Sequence, residues 1–112
     1  MIKYSITKET KGFVENYTLH EEGHAGYAEE GKDIVCSAVS AMLITLAQVI
    51  ENMALTECNG EVFTELLPGK VYIYCQCARG NQKVRDAFEF VNVGLRMIAE
   101  QYPDYVQRDE SM

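Results

Sequence analysis

Basic residues are scarce in this chain: 10 lysines and arginines stand against 17 aspartates and glutamates, a formal charge of −7. Nowhere do the cations cluster, which argues against direct nucleic-acid binding, because phosphate-backbone affinity needs several cations on one surface. The charge favours a basic protein or peptide partner instead. A secretory leader is also missing, since no stretch joins a basic start, an apolar core and a small-residue cleavage site. Nor is there an uninterrupted apolar run. The most apolar region, residues 38–54, is broken by Ser40, Thr45, Gln48, Glu51 and Asn52 and reads as too polar to span a bilayer. The expectation is a cytoplasmic protein with no membrane attachment.

Cysteine occurs as Cys36, Cys58, Cys75 and Cys77, never in the CxxC spacing that redox proteins use. Nothing places the chain in an oxidising compartment, so all four are read as free thiols. Cys75-Gln76-Cys77 puts two sulfurs on one strand face without metal-site spacing. Only His20, His24 and the distant Cys58 are left to complete a ligand set, so no metal and no cofactor are expected. No repeat, low-complexity tract or linker divides the chain, and residues 1–112 read as one domain.

Ile2 to Thr7 alternates apolar and polar residues, the pattern of a half-buried strand, and Lys8 to Gly12 reads as a turn into a returning strand, Phe13 to Leu19. Glu21 to Lys32 holds Gly23, Gly26 and Gly31 without periodicity and reads as loop. From Ile34 to about Met53 the chain is apolar round most of a helical circumference, with Ser37, Ser40, Thr45, Gln48 and Asn52 in one stripe. Such a helix is expected to be buried on more than one side, which a homodimer would provide. Pro68-Gly69 suits a type II turn between strands at 61–67 and 71–77. Asn81 is placed to cap a last helix whose apolar residues run from Val84 to Tyr102, and Pro103 stops it. The order ββαββα predicts an α+β fold, an antiparallel sheet packed by two helices.

His24 and Cys36 bracket the glycine-bearing loop. With Asp33 as N-cap, Cys36 is the third residue of the helix, where unpaired backbone N–H groups favour thiolate over thiol. Asp33, Cys36 and Ser40 then share a helical face. Gly23 and Gly26 give the loop freedom to bring His24 in as general base, after which the thiolate attacks a carbonyl carbon and His24 protonates the leaving amine. Amides at the helix start are candidate oxyanion donors, and both Asp33 and Ser40 are candidates to orient the imidazole. Each residue also has a plainer reading. Cys36 can be a small core residue, His24 a loop histidine bonded to backbone, Asp33 an ordinary cap and Ser40 a tolerated small side chain. His20 is a rival base that lacks the flanking glycines.

Gly23-His24-Ala25 followed by Gly31-Lys32-Asp33-Ile34-Val35-Cys36-Ser37-Ala38-Val39-Ser40 resembles the signature of the ribosomal-processing cysteine protease family, Prp. The likeness extends to the opening Ile2 strand, the two-strand middle and the ending Ile98 to Tyr105. It implies a small homodimeric bacterial cysteine protease of α+β fold. Its substrate would be the precursor of a basic large-subunit ribosomal protein, number twenty-seven in the bacterial series, whose short N-terminal extension it removes. By position the resemblance puts the nucleophile on Cys36, the histidine on His24, the motif glycine on Gly23, the aspartate on Asp33 and the serine on Ser40. It also makes the segment between His24 and Cys36 a mobile cover. Alternatives are a phage or mobile-element protease acting on a capsid or scaffold protein, a non-catalytic dimeric module that binds such proteins, and a thiol redox protein.

Overall fold

The computed structural model covers residues 1–112. The elements are β1 (Ile2–Lys11), β2 (Val14–Glu22), α1 (Ile34–Asn52), β3 (Val62–Leu67), β4 (Lys70–Ala78), α2 (Gln82–Gln101) and β5 (Val106–Arg108). They form one sheet in the order β3-β4-β2-β1-β5, with both helices packed on one face. The α+β class holds. The expected all-antiparallel sheet does not: β5 pairs parallel with β1, Ile2 opposite Val106, and α2 supplies the crossover. A three-residue strand is too short to display an alternating pattern, so nothing in the sequence announced it.

The first hairpin is longer than its apolar pattern. Lys8 to Lys11, expected as turn, is strand paired with Val14 to Tyr17, and only Gly12 and Phe13 lie between the strands. This end projects past the helices, where residues 7–11 are exposed and alternation carries no information. At its other end β2 continues through His20 to Glu22.

The core follows the strand period. Tyr17 and Leu19 of β2 and Ile73, Cys75 and Cys77 of β4 face the helices, which answer with Val35, Val39, Leu43, Leu46 and Ile50 of α1 and Val84, Phe88, Val91 and Leu95 of α2. Leu19 is fully buried at the centre. Leu19→Ala should lower stability by about 2–5 kcal/mol, read as a reduced urea midpoint with an unchanged slope.

Within one chain α1 is covered on one side only, and Ile34, Ile44 and Val49 remain exposed. By length and composition alone this helix is long and apolar enough to cross a membrane, contrary to the reading of its interrupted sequence. Its six buried residues, packed on the sheet and α2, account for that apolarity in a folded core.

Glu21 faces the helix layer beside Val71, and burial, helped by neighbouring Glu22, pushes its carboxyl up to about 7. A raised acid binds its proton more tightly in the folded chain than in the unfolded one. Stability should therefore fall as pH rises from about 4.5 towards 7, by roughly 3 kcal/mol in total. Glu21→Gln should flatten that slope in thermal melts taken across the interval.

Candidate active site

Where β2 leaves the sheet, the chain passes through Gly23 at φ +98°. A Cβ here would lie 2.2 Å from the Met1 carbonyl oxygen, so the position accepts only glycine. The Gly23 amide donates to the Gly69 carbonyl at 2.9 Å, tying the loop to the β3–β4 turn. That turn is the expected Pro68-Gly69 pair, with Gly69 at φ +73°. Its missing side chain makes room for His24: a Cβ on Gly69 would stand 2.7 Å from the imidazole Nε2.

Ala25 turns inward and is buried, and its amide donates to Cys36 Sγ at 3.2 Å. Such a bond favours a developing thiolate. Asp33 caps α1 as expected and makes Cys36 the third helical residue. One carboxylate oxygen accepts from the amides of Val35 (3.0 Å) and Cys36 (2.9 Å), and the other from those of Tyr27 (2.9 Å) and Ala28 (3.3 Å). Burial alone would push this carboxyl up, but the four backbone N–H groups together hold it below the ordinary aspartate value. The same residue therefore starts the helix and fastens the loop.

His24, Asp33, Cys36, Ser37, Ser40 and Gly69 line one cavity of about 550 Å³ at the helix N-terminus. Beside it lies an apolar trough of about 270 Å³, floored by Leu43, Ile44, Leu66, Leu67 and Val71, which shares Ser40 and Pro68 with the cavity. Neither Asp33 nor Ser40 hydrogen-bonds the imidazole, and the helix-start amides expected as oxyanion donors are already engaged. Those of Val35 and Cys36 bind the Asp33 carboxylate, and that of Ser37 binds the Asp33 carbonyl at 3.0 Å.

The rival residues fall elsewhere. His20 points to the helix-free face of the sheet, pairs with Glu22 at 3.0 Å and packs edge-on against Tyr72. Cys58, Cys75 and Cys77 are buried together in the core. Desolvation raises all three thiols, Cys77 to about 11. Only Cys36 is partly exposed. No group of three histidines, cysteines or carboxylates is placed to hold a metal. Sequence reasoning missed Tyr27, whose ring leaves the loop and packs on Tyr102 and Tyr105. Nothing in the neighbouring sequence draws attention to it, since Tyr27 is the only tyrosine between Tyr17 and Tyr72.

A half-exposed thiol at a capped helix start, hydrogen-bonded by a loop amide and sharing its cavity with an imidazole, is equipped for nucleophilic attack on a carbonyl. On an α+β scaffold this defines a cysteine peptidase. The family model for Cysteine protease Prp matches residues 1–107, and the chain belongs to that family. The ribosomal processing cysteine protease Prp of Mycoplasma genitalium is 34% identical over 94 residues, which cover 82% of this chain and 86% of that one. The Staphylococcus aureus ribosomal processing protease Prp, crystallised with a covalently linked product peptide, superposes with a TM-score of 0.75 at 24% identity, covering 97% of this chain and 98% of that one. A Streptococcus mutans protein superposes with a TM-score of 0.65 at 28% identity, covering 97% and 92%.

Proposed function

We propose that this protein is a cytoplasmic endopeptidase that removes the N-terminal extension of a basic large-subunit ribosomal protein, number twenty-seven in the bacterial series. Cys36 is its nucleophile and His24 its general base. The observation that carries the reading is that the one accessible cysteine stands at the start of α1 in the cavity that His24 lines. His24 takes the thiol proton, the thiolate attacks the scissile carbonyl carbon, and the tetrahedral intermediate collapses as His24 protonates the departing amine. Water then releases the new carboxylate from the thioester. The Ala25 amide, already directed at Sγ, is a candidate donor for the oxyanion. The apolar trough accommodates an apolar side chain next to the scissile bond, and the negative charge of the chain suits a basic substrate. Residues 1–112 act as one catalytic domain. A second copy seated at the free β3 edge, where Phe63 is exposed, accounts for that apolar surface.

Mass spectrometry of the intact ribosomal precursor incubated with the wild type and with Cys36→Ala tests the assignment. Trimming by the wild type alone is expected; trimming by both proteins, or by neither, refutes it. Iodoacetamide labelling followed per cysteine should find Cys36 reacting at least tenfold faster than Cys58 at neutral pH. Equal rates would remove the activated thiol.

A further inference from the structure

We infer that Tyr27 is a positioning residue: its ring, seated against Tyr102 and Tyr105, holds the Ala25 amide and the His24 imidazole in register with Cys36. The inference rests on the reading of Cys36 and His24 as the reacting pair. Within the loop only Ala25 is buried before Asp33, and residues 28–32 are all exposed. Their one internal tie is the Lys32 amide on the Glu29 carbonyl at 2.9 Å. Tyr27 is the side chain that reaches firm structure. Its ring meets Tyr102 at 5.6 Å and 82° and Tyr105 at 5.2 Å and 76°, both edge-to-face arrangements that aromatic quadrupoles favour.

The seat is rigid because of where it is built. Tyr102 is the residue that ends α2, and the Tyr105 amide donates to the Tyr102 carbonyl at 3.0 Å. The Tyr105 carbonyl accepts from the Ile2 amide at 2.8 Å, immediately before β5 joins the sheet. The ending Tyr102-Pro103-Asp104-Tyr105 takes no part in the thiol chemistry, and holding Tyr27 gives it a role. Gly26, at φ +69°, turns the chain between the inward Ala25 and the outward Tyr27. Backbone and ring of Tyr27 are therefore fixed independently, the backbone by Asp33 and the ring by the C-terminal tyrosines. The Tyr27 hydroxyl makes no hydrogen bond, so the ring alone carries the function.

The test compares the wild type, Tyr27→Ala, Tyr27→Phe, Tyr105→Ala and the double variant Tyr27→Ala/Tyr105→Ala. For each, the rate of Cys36 labelling by iodoacetamide is followed against pH. The values of kcat and KM on a peptide spanning the precursor cleavage site, and the melting temperature, complete the set. Tyr27→Ala should slow neutral-pH labelling of Cys36 about tenfold, move its pH midpoint upward and lower kcat more than it changes KM. Tyr27→Phe should restore the wild-type profile, and the double variant should be no slower than Tyr27→Ala, because both changes break the same contact. A Tyr27→Ala protein with unaltered labelling and kcat overturns the inference, whatever its melting temperature. So does a Tyr27→Phe protein as impaired as Tyr27→Ala, or a double variant whose losses add. If Cys36→Ala is inactive while Tyr27→Ala behaves as wild type, only this inference fails. If Cys36→Ala still cleaves, the assignment of the reacting pair fails and takes the inference with it.

Discussion

Cys36→Ala should abolish precursor trimming, with a loss of about 10³-fold or more in kcat, while leaving the affinity for uncleaved peptide nearly unchanged. In the proposed mechanism the sulfur is the attacking atom, and none of the other three cysteines can replace it, because all lie buried in the core with raised thiols. The cavity walls stay in place: the His24 seat on Gly69, the Asp33 cap and the apolar trough do not depend on the thiol. Isothermal titration of the variant with the uncut peptide, beside single-turnover cleavage by the wild type, checks both halves. A variant that loses binding as well as turnover would place Cys36 in recognition and not in chemistry.

Two substitutions at Asp33 should separate its roles. Asp33→Ala removes the acceptor for four amides and should cost about 1–2 kcal/mol from the lost cap alone, together with at least a hundredfold in kcat as the loop comes loose. Asp33→Asn keeps one oxygen to cap α1 but turns an NH₂ group towards the Tyr27 and Ala28 amides. Donor then faces donor. The helix should survive, with stability close to wild type, while activity falls almost as far as in the alanine variant. The acid limb gives an independent check. A carboxyl held below its unfolded value contributes stability that is complete above the ordinary aspartate range and is lost as pH falls through the folded value. The wild type should therefore lose loop order only at strongly acidic pH. Amide hydrogen exchange at Tyr27 and Ala28 would follow that loss, and Asp33→Asn should show it at neutral pH.

The parts of the site that lie close together in the chain were legible in the sequence. Asp33 and Cys36 are linked by helix geometry over a single turn, and Pro68-Gly69 names its own turn type. The flanking glycines favoured His24 over His20 as candidate base; the structure puts His24 in the cavity, and because β2 runs on to Glu22 its alternation sends His20 to the opposite face. Gly23 looked like a source of loop freedom and Gly69 like a turn residue alone. Both prove to be points of close approach, one against the Met1 carbonyl and one beneath the imidazole. Features that depend on distant segments meeting left no local trace. β5 is too short to alternate, and nothing near Tyr27 in the chain foretells Tyr102 and Tyr105. The occupancy of the helix-start amides by Asp33 was likewise invisible, because a cap and an oxyanion hole ask for the same N–H groups.

The place of Tyr102 and Tyr105, after α2 and against the first strand, has a consequence for synthesis. A growing chain makes β1, β2, the loop and α1 early, and the cysteine and histidine leave the ribosome together. The aromatic seat leaves last, and β5 closes against β1 only after it. A nascent or truncated chain that ends before residue 105 thus carries the cysteine and the histidine with the Tyr27 backbone held by Asp33 but its ring without a seat. If Tyr27 positions the pair as inferred, full proteolytic competence arrives only with the end of the chain, once the sheet has closed.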